Sequence, residues 1–294
     1  MAFNWQTFRT RALTAAVFVV VMLAGLLWNR WSFLILFSVI HFGCWWEYLK
    51  LVERIRQVTI HLYIKEGLML LGYGLMVWFC GKDYGIAGYG IKENLSLVIS
   101  TVGFVMLLIG IFQKATVGLK ILTAGLAGVL YISLSFGLLL RLYDHSDLHI
   151  HDTMLVFTAG TFPILIIAGI WINDTMAYIV GSVIGKTPLS KVSPKKTWEG
   201  TIGGILLSIL VTGFLFPVVA MGKFDLTLFV IGSSMAAVSS VSGTFGDLLE
   251  SKLKRMAGVK DSGQIMPGHG GFLDRFDSLL LAAPLVWVFL QLFQ

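Results

Sequence analysis

The sequence of 294 residues predicts an all-α integral membrane protein of about nine transmembrane helices, with a cytoplasmic N-terminus and the C-terminus on the opposite side. Hydrophobic residues make up 56% of the chain and charged residues only 13%, against roughly 25% charged residues in soluble proteins. So few charges cannot cover a soluble fold of this size, and the mean hydropathy of +0.83 agrees. The composition therefore excludes a soluble globule, a disordered chain, a collagen and a coiled coil.

Nine apolar runs have about the length that a bilayer requires. Helices are expected, because backbone groups inside a bilayer need partners within the same segment. The first run follows Arg9 and Arg11 as in a signal peptide, but without a small-residue cleavage site, so we expect a retained helix. The third run is short, and one of the nine runs can form a re-entrant segment instead of a full span. The nine runs are 12–28, 31–46, 67–80, 95–112, 121–140, 153–172, 202–220, 226–243 and 278–293.

The positions of lysine and arginine predict the orientation of these spans. A cytoplasmic N-terminus puts 17 of the 22 basic residues on the cytoplasmic side, as the positive-inside rule requires. The other side receives Arg30, Lys82, Lys92, Arg141 and Lys223. The net charge of +6 then indicates contact with anionic headgroups and no role in nucleic-acid binding. Two cysteines are too few for a disulfide framework or a cysteine zinc site.

The predicted organisation is 1–120, which holds transmembrane helices 1–4, and 121–294, which holds catalytic helices 5–9. The second part includes cytoplasmic loops 173–201 and 244–277, whose polar residues are far denser than a turn needs. Any chemistry is expected in these two loops. The external segment 144–152 contains three histidines and can bind a metal, but we interpret it as a solvated loop.

A polar helix face is predicted where the eighth span continues past the membrane. At about 100° per residue, Glu250, Ser251 and Lys254 share one stripe with Asp247. A helix end with intrahelical ion pairs would explain the same stripe. The Pro-Gly-His-Gly-Gly segment at 267–271 cannot be helical, and its glycines let the backbone approach a ligand.

Asp274 and Asp277 open the last span three residues apart, with Arg275 beside them. Carboxylate oxygens suit Mg²⁺, which takes one or two of them and completes its shell with phosphates and water. Carboxylates for a metal and cations for phosphate are what phosphoryl or nucleotidyl transfer requires.

The long motif in this region resembles that of the phosphatidate cytidylyltransferases, or CDP-diacylglycerol synthases. It reads Ser251-x-Leu253-Lys254-Arg255, four residues, Lys260-Asp261, then Pro267-x-His269-Gly270-Gly271-Phe272-x-Asp274-Arg275-Phe276-Asp277. The resemblance includes Asn173-Asp174-Thr175-x-Ala177-Tyr178, Gly185-Lys186-Thr187-Pro188 and Ser193-Pro194-Lys195-Lys196-Thr197-Trp198-Glu199-Gly200. It covers roughly 173–278, and the first half of the chain matches only in hydropathy. Trp198 is either a base-stacking residue or an interfacial anchor.

The resemblance implies transfer of a cytidylyl group from CTP to phosphatidate, with Mg²⁺ as cofactor. It implies that Asp247 and Asp274 hold the metal, with Asp277 or Glu250 in support. The expected catalytic residues are Asp247, Ser251, Lys254, Arg255, Lys260, Asp261, His269, Asp274, Arg275 and Asp277. The expected substrate-binding residues are Asp174, Lys195, Lys196 and Glu250.

Two other functions are weighed, a CTP-dependent polyprenol or phytol kinase and a membrane transporter. A transporter would carry ionisable groups or broken helices near the bilayer midplane, whereas the acids here cluster at cytoplasmic ends. Dimerisation is common in the resembling family, and the glycine-rich stretch 125–137 allows close packing, so a homodimer is retained as a candidate. With no transit signal, a bacterial inner membrane is the simplest expectation.

Overall fold

The computed structural model describes residues 5–86, 88–113, 118–145, 147–150, 153–264 and 270–292, and most of these residues are helical. The helices are α1 (Trp5–Leu27), α2 (Arg30–Arg56), α3 (Leu62–Trp78), α4 (Ile91–Asn94), α5 (Ser96–Gln113), α6 (Leu119–Gly128), α7 (Leu134–Tyr143), α8 (Thr161–Ile184), α9 (Trp198–Met221), α10 (Leu226–Met256) and α11 (Leu273–Gln291). A π-helical segment, Val129–Ser133, joins α6 to α7.

Short antiparallel hairpins account for the strands in the described part of the chain. They pair β1 (Gly85–Ile86) with β2 (Tyr89–Gly90), β3 (Asp147–Ile150) with β4 (Thr153–Val156), and β5 (Pro188–Ser190) with β6 (Ser193–Thr197). The all-helical membrane class is therefore confirmed, with hairpins only as connections.

Among the described residues, six stretches are long and apolar enough to cross a membrane, and each overlaps a predicted span. They are Arg30–Arg56, Ile91–Gln113, Leu119–Tyr143, Thr161–Ile184, Trp198–Met221 and Leu226–Met256. Of the other predicted spans, α3 is short, with 17 residues, and the first turns of α11 carry three charged side chains. Neither is therefore among these six stretches. The apolar part of α1 that is described, Leu13–Leu27, is also short. The count of nine and the sides of the termini stay predictions.

The start of the sixth predicted span is wrong. Residues 153–156 form strand β4, and α8 begins only at Thr161. Gly160 precedes the helix with φ +84°, and Pro163 occupies the first turn, where its missing N–H costs no hydrogen bond. In the predicted external loop 144–152, residues 147–150 form strand β3, and 146, 151 and 152 lie outside the described residues.

Two segments interpreted as loops are partly helical. Helix α8 continues through Asn173 and Asp174 to Ile184, because the apolar pattern persists until Gly185 and Pro188 end it. Helix α10 runs to Met256, as the polar stripe at 247–254 predicts. The acids at these positions are therefore held on helices and not on loops.

The chain forms two compact units. One comprises Met1–Leu140 and Leu253–Phe276, and the other comprises Arg141–Lys252 and Asp277–Gln294. The predicted division at residue 120 concerns catalytic role and stays a prediction.

Glycines allow close helix packing in the first unit. A Cβ on Gly67 of α3 would lie 2.8 Å from the carbonyl oxygen of Gly103 on α5. Elsewhere in this unit, Trp45 Nε1 donates to Ser133 Oγ at 2.8 Å, and His41 Nε2 lies 2.9 Å from the same oxygen. Polar side chains of α2 therefore meet a partner at the π-helical segment.

In the second unit, helices α8 and α9 pack closely along a row of small residues. A Cβ on Gly204 would lie 2.7 Å from the carbonyl oxygen of Asn173, and one on Gly200 would lie 2.7 Å from that of Ala177. This packing positions the N-terminus of α9 and the hairpin that precedes it beside the acidic part of α8.

Candidate active site

Asp274 is the centre of a polar cluster in the first unit. Its Oδ1 accepts a hydrogen bond from Lys254 Nζ at 2.6 Å, and its Oδ2 accepts from the Gly271 N–H at 2.8 Å. Ser262 donates to Oδ2 twice, from its backbone N–H at 2.9 Å and its hydroxyl at 2.8 Å. Four donors from three chain segments therefore fix one carboxylate.

These contacts keep Asp274 ionised. Burial by itself would raise the pKa of Asp274, but the hydrogen bonds from Lys254 and Gly271 lower it from 3.8 to about 2. The aspartate and the lysine are 10% and 12% exposed. The cluster thus presents a carboxylate that is charged at neutral pH beside the lysine amino group.

Glu47 of α2 is bound to the same segment as Asp274. Its side chain is 3% exposed. Its Oε1 accepts from the Phe272 N–H at 3.0 Å, and its Oε2 accepts from the Leu273 N–H at 2.9 Å and the Ser262 hydroxyl at 2.7 Å. The two N–H groups belong to the start of α11, where helix donors lack partners within the helix. Glu47 therefore caps α11 from a distant part of the chain.

A second cluster, in the other unit, centres on Lys196. Its Nζ lies 2.6 Å from Asp247 Oδ2, with side-chain exposures of 34% and 23%. Burial alone would lower the pKa of Lys196, but the carboxylates of Asp247, Asp174 and Asp277 together raise it above its usual value. The lysine therefore stays charged among three acids that the sequence assigned to the site.

Local hydrogen bonds hold Lys196 next to the N-terminus of α9. It lies on β6, one residue before Thr197, whose hydroxyl caps α9 by accepting from the Gly200 N–H at 3.2 Å. The Glu199 carboxylate accepts from the N–H groups of Lys186 and Thr187 at 3.1–3.2 Å, which ties the start of the hairpin to the same helix. Residues 185–200 therefore form one hydrogen-bonded unit, in which the β5–β6 hairpin is joined to the start of α9.

The close approach of α10 and α11 brings Asp277 near the acids of this second cluster. A Cβ on Gly246 would lie 2.5 Å from the backbone oxygen of Asp277. Asp277 is buried, and its Oδ1 accepts from the Ser278 N–H at 2.6 Å.

Other predicted site residues differ in exposure. Glu250 is fully buried and Ser251 is half-buried on α10. Arg255 is exposed, and its guanidinium donates to the Val259 carbonyl at 3.2 Å. The remaining charged candidates on the surface are Asp174, Lys195, Lys260, Asp261 and Arg275. His269, with 265–268, lies outside the described residues.

The donor chemistry of the two clusters fits Mg²⁺. Each cluster offers carboxylate oxygens, the ligand type that Mg²⁺ takes, and in each one carboxylate oxygen lies 2.6 Å from a lysine amino group. Within the described ranges, no group of three or more His, Cys, Asp or Glu side chains is arranged to hold a metal. A site with few protein ligands is compatible with Mg²⁺, which takes one or two carboxylates and fills its shell with phosphate and water.

Residues 9–293 match the model of a family described as the cytidylyltransferase family. The chain belongs to this family. It is 30% identical over 285 residues to "Phosphatidate cytidylyltransferase" of Staphylococcus saprophyticus, covering 96% of this chain and 98% of that protein. It is 32% identical over 294 residues to the protein of the same name from Haemophilus influenzae, covering 94% and 96%. A third relative of that name, from Synechocystis, is 46% identical over 129 residues, or 44% of this chain and 43% of that protein.

Sequence reasoning missed two residues of the first cluster, Glu47 and Ser262. Ser262 lies inside the long motif, between Asp261 and the glycines, but its spacing gave no reason to select it. Glu47 had a usable signal, because it is an acid directly after the apolar run 31–46, where a carboxylate is costly unless it serves a polar site.

Proposed function

We propose that the protein transfers the cytidylyl group of CTP to phosphatidate and releases CDP-diacylglycerol and pyrophosphate. The observation that carries this proposal is the family match over nearly the whole chain, together with near-full-length relatives named phosphatidate cytidylyltransferase. The two lysine–aspartate clusters in the family's motifs support it, because they supply both signs of charge that the reaction needs.

In this reaction a phosphate oxygen of phosphatidate attacks the α-phosphorus of CTP. The bond from that phosphorus to the oxygen bridging the α- and β-phosphates breaks, and its electron pair leaves with pyrophosphate. The nucleophile is already an anion, so no covalent Ser or Cys intermediate is required. The protein's main tasks are to neutralise two anions that repel each other and to hold them in line.

Lys196 and Lys254 are proposed to neutralise phosphate charge, and the amino group of each lies 2.6 Å from a carboxylate oxygen of the site. Arg255, Lys260, Arg275 and Lys195 add positive charge at the surface, while Ser251 and His269 are proposed hydrogen-bond donors. Asp247 and Asp274 are the proposed Mg²⁺ ligands, with Asp277 or Glu250 in support. Bound Mg²⁺ would offset the negative charge on the nucleotide phosphates.

The setting is proposed on the same basis. Phosphatidate keeps its acyl chains in the bilayer while CTP arrives from water, so we propose a site at the cytoplasmic membrane surface, with a bacterial inner membrane as its location. The apolar helices support this setting, as does the excess of basic residues that the predicted nine-span topology puts on one side. A homodimer remains a proposal that close packing of glycine-rich helices would permit.

The deciding experiment incubates the purified full-length protein in detergent with phosphatidate, Mg²⁺ and CTP labelled at either the α- or the γ-phosphate. We expect α-label in the extracted lipid and γ-label in pyrophosphate. Lipid that carries γ-label would indicate a CTP-dependent lipid kinase and contradict the proposal. Product formation in detergent, with no sealed vesicle, also excludes a requirement for transport.

A further inference from the structure

The N-terminal helix α2 contributes one carboxylate to the segment that carries Asp274. Glu47 is almost fully buried and accepts three hydrogen bonds, all from residues more than 200 positions later in the chain. The resemblance to the cytidylyltransferase motifs begins only near residue 173, so those motifs assign no role to Glu47.

A buried carboxylate at this place has a cost that packing alone does not explain. Charged groups are expensive to remove from water, and an apolar side chain of similar size commonly stabilises a buried position as well or better. The three hydrogen bonds that Glu47 accepts offset part of this desolvation cost. What distinguishes Glu47 is the identity of the three donors, since Ser262 also bonds to Asp274 and the other two, Phe272 and Leu273, directly precede Asp274 in the chain.

The hydroxyl of Ser262 is the direct link between the two acids. Its Oγ lies 2.7 Å from Glu47 Oε2 and 2.8 Å from Asp274 Oδ2. A hydroxyl has one proton to donate, so its orientation depends on both carboxylates together. Displacing either acid therefore changes the hydrogen bonding of the other.

The backbone provides a second link. Three consecutive N–H groups donate to one or other of the two acids. Gly271 donates to Asp274, and both Phe272 and Leu273 donate to Glu47. A Cβ on Gly271 would overlap the Glu47 carboxylate. The turn that delivers Asp274 is therefore built around Glu47.

We propose that Glu47 is a positioning residue, which acts through Ser262 and the N-terminal turn of α11 to hold the Asp274 carboxylate in its working orientation. This inference rests on the proposed function, in which Asp274 is a Mg²⁺ ligand. Glu47 contacts neither substrate nor metal in this scheme. Its loss lowers metal affinity without removing a ligand, as loss of an outer hydrogen-bonding partner does at other metal sites.

The test compares Glu47→Gln and Ser262→Ala with the wild-type full-length protein. Gln keeps the size of Glu47 but replaces one acceptor oxygen with an NH₂ group, which cannot accept from a backbone N–H. Ser262→Ala removes only the hydroxyl link and leaves the Glu47 cap of α11 in place. The matched control is Glu53→Gln, on the same helix, whose carboxylate accepts from Ile60 N–H and Lys65 Nζ.

Two readouts are measured, the Mg²⁺ concentration that gives half-maximal rate and the Mg²⁺ concentration that gives half-maximal increase in melting temperature. Both should rise about 10- to 100-fold in Glu47→Gln and Ser262→Ala, the usual effect of losing such a partner. The double variant should be no worse than the more affected single variant, because both changes break one connection. Glu53→Gln should lower the melting temperature without moving either Mg²⁺ midpoint.

The inference is overturned if Ser262→Ala and Glu47→Gln keep the wild-type Mg²⁺ midpoints while only the melting temperature falls. If Glu47→Gln fails to fold, unchanged midpoints in Ser262→Ala alone overturn it. Absence of labelled CDP-lipid with the wild-type protein would instead refute the proposed function, so the two failures are distinguishable.

Discussion

Lys254 donates to Asp274 across 2.6 Å, and both side chains are about nine-tenths buried. The pair lies between the end of α10 and the start of α11, within the long motif. Because Asp274 also accepts from Gly271 and Ser262, its orientation is set by several donors and not by the lysine alone. The charge and the geometry of this cluster can therefore be altered separately.

Replacing Asp247 or Asp274 with Asn should reduce cytidylyl transfer by at least about 100-fold, because a neutral amide cannot supply the charge proposed for the metal site. Expression and membrane insertion should be unchanged, since Asn keeps the shape. Lipid product from labelled CTP is the measurement. Asp225→Asn is the control, because Asp225 caps α10 through the Leu228 N–H and should retain full activity. Substantial activity in either variant would refute the ligand assignment.

Lys196→Ala should lower the rate about 100-fold and the stability by about 1 kcal/mol, since Asp247 loses its half-buried cation. Lys195→Ala is the matched neighbour on β6, exposed to solvent, and should lose less than about 10-fold. Initial rates at saturating CTP and melting curves in detergent provide the comparison. Equal losses in the two variants would mean that general positive charge matters and the Asp247 contact does not.

Gly271→Ala should destabilise the protein by about 1–3 kcal/mol and reduce activity, because the added methyl group overlaps the Glu47 carboxylate. Gly118→Ala places a methyl group in open space at the start of α6 and should cost less than about 1 kcal/mol, with normal activity. Thermal unfolding and product formation should be measured together. A Gly271→Ala protein of normal stability would contradict the packing around Glu47.

The contribution of Asp274 to stability should depend on pH only under acid conditions. Its pKa is lowered from 3.8 to about 2, so its stabilising effect is complete above the unfolded-state value and is lost as the pH falls towards about 2. The difference in melting temperature between wild type and Asp274→Asn should be constant from about pH 8 to about pH 5 and should shrink below about pH 4. A difference that already shrinks between pH 7 and pH 5 would contradict the lowered pKa.

Long apolar helices were predictable because each is a continuous run in the sequence. The helix from 226 to 256 is an example, since the polar stripe beyond the apolar run keeps the helical period. The start of α8 was not predictable in this way, because Thr153–Val156 is as apolar as the helix that follows. Only pairing with β3 distinguishes the strand.

Sequence reasoning selected both Lys254 and Asp274 because one motif contains them, and the structure places their side chains in contact. Contacts between distant segments were not predictable. Nothing in the local pattern of α2 indicates that Glu47 bonds to Ser262. The two residues are 215 positions apart, and the spacing of residues along the sequence does not predict a contact over that separation. The position of Lys196 beside Asp247 likewise depends on how the β5–β6 hairpin folds back, which hydropathy does not describe.

The order of synthesis gives the Glu47 contacts a further consequence. Helix α2 leaves the ribosome long before residues 262–273 exist, so the newly made helix carries a carboxylate whose final donors are missing. That acid must remain hydrated or find temporary partners until translation is almost finished. Truncated chains that end before α11 should therefore be poorer substrates for membrane integration than their apolar helices suggest.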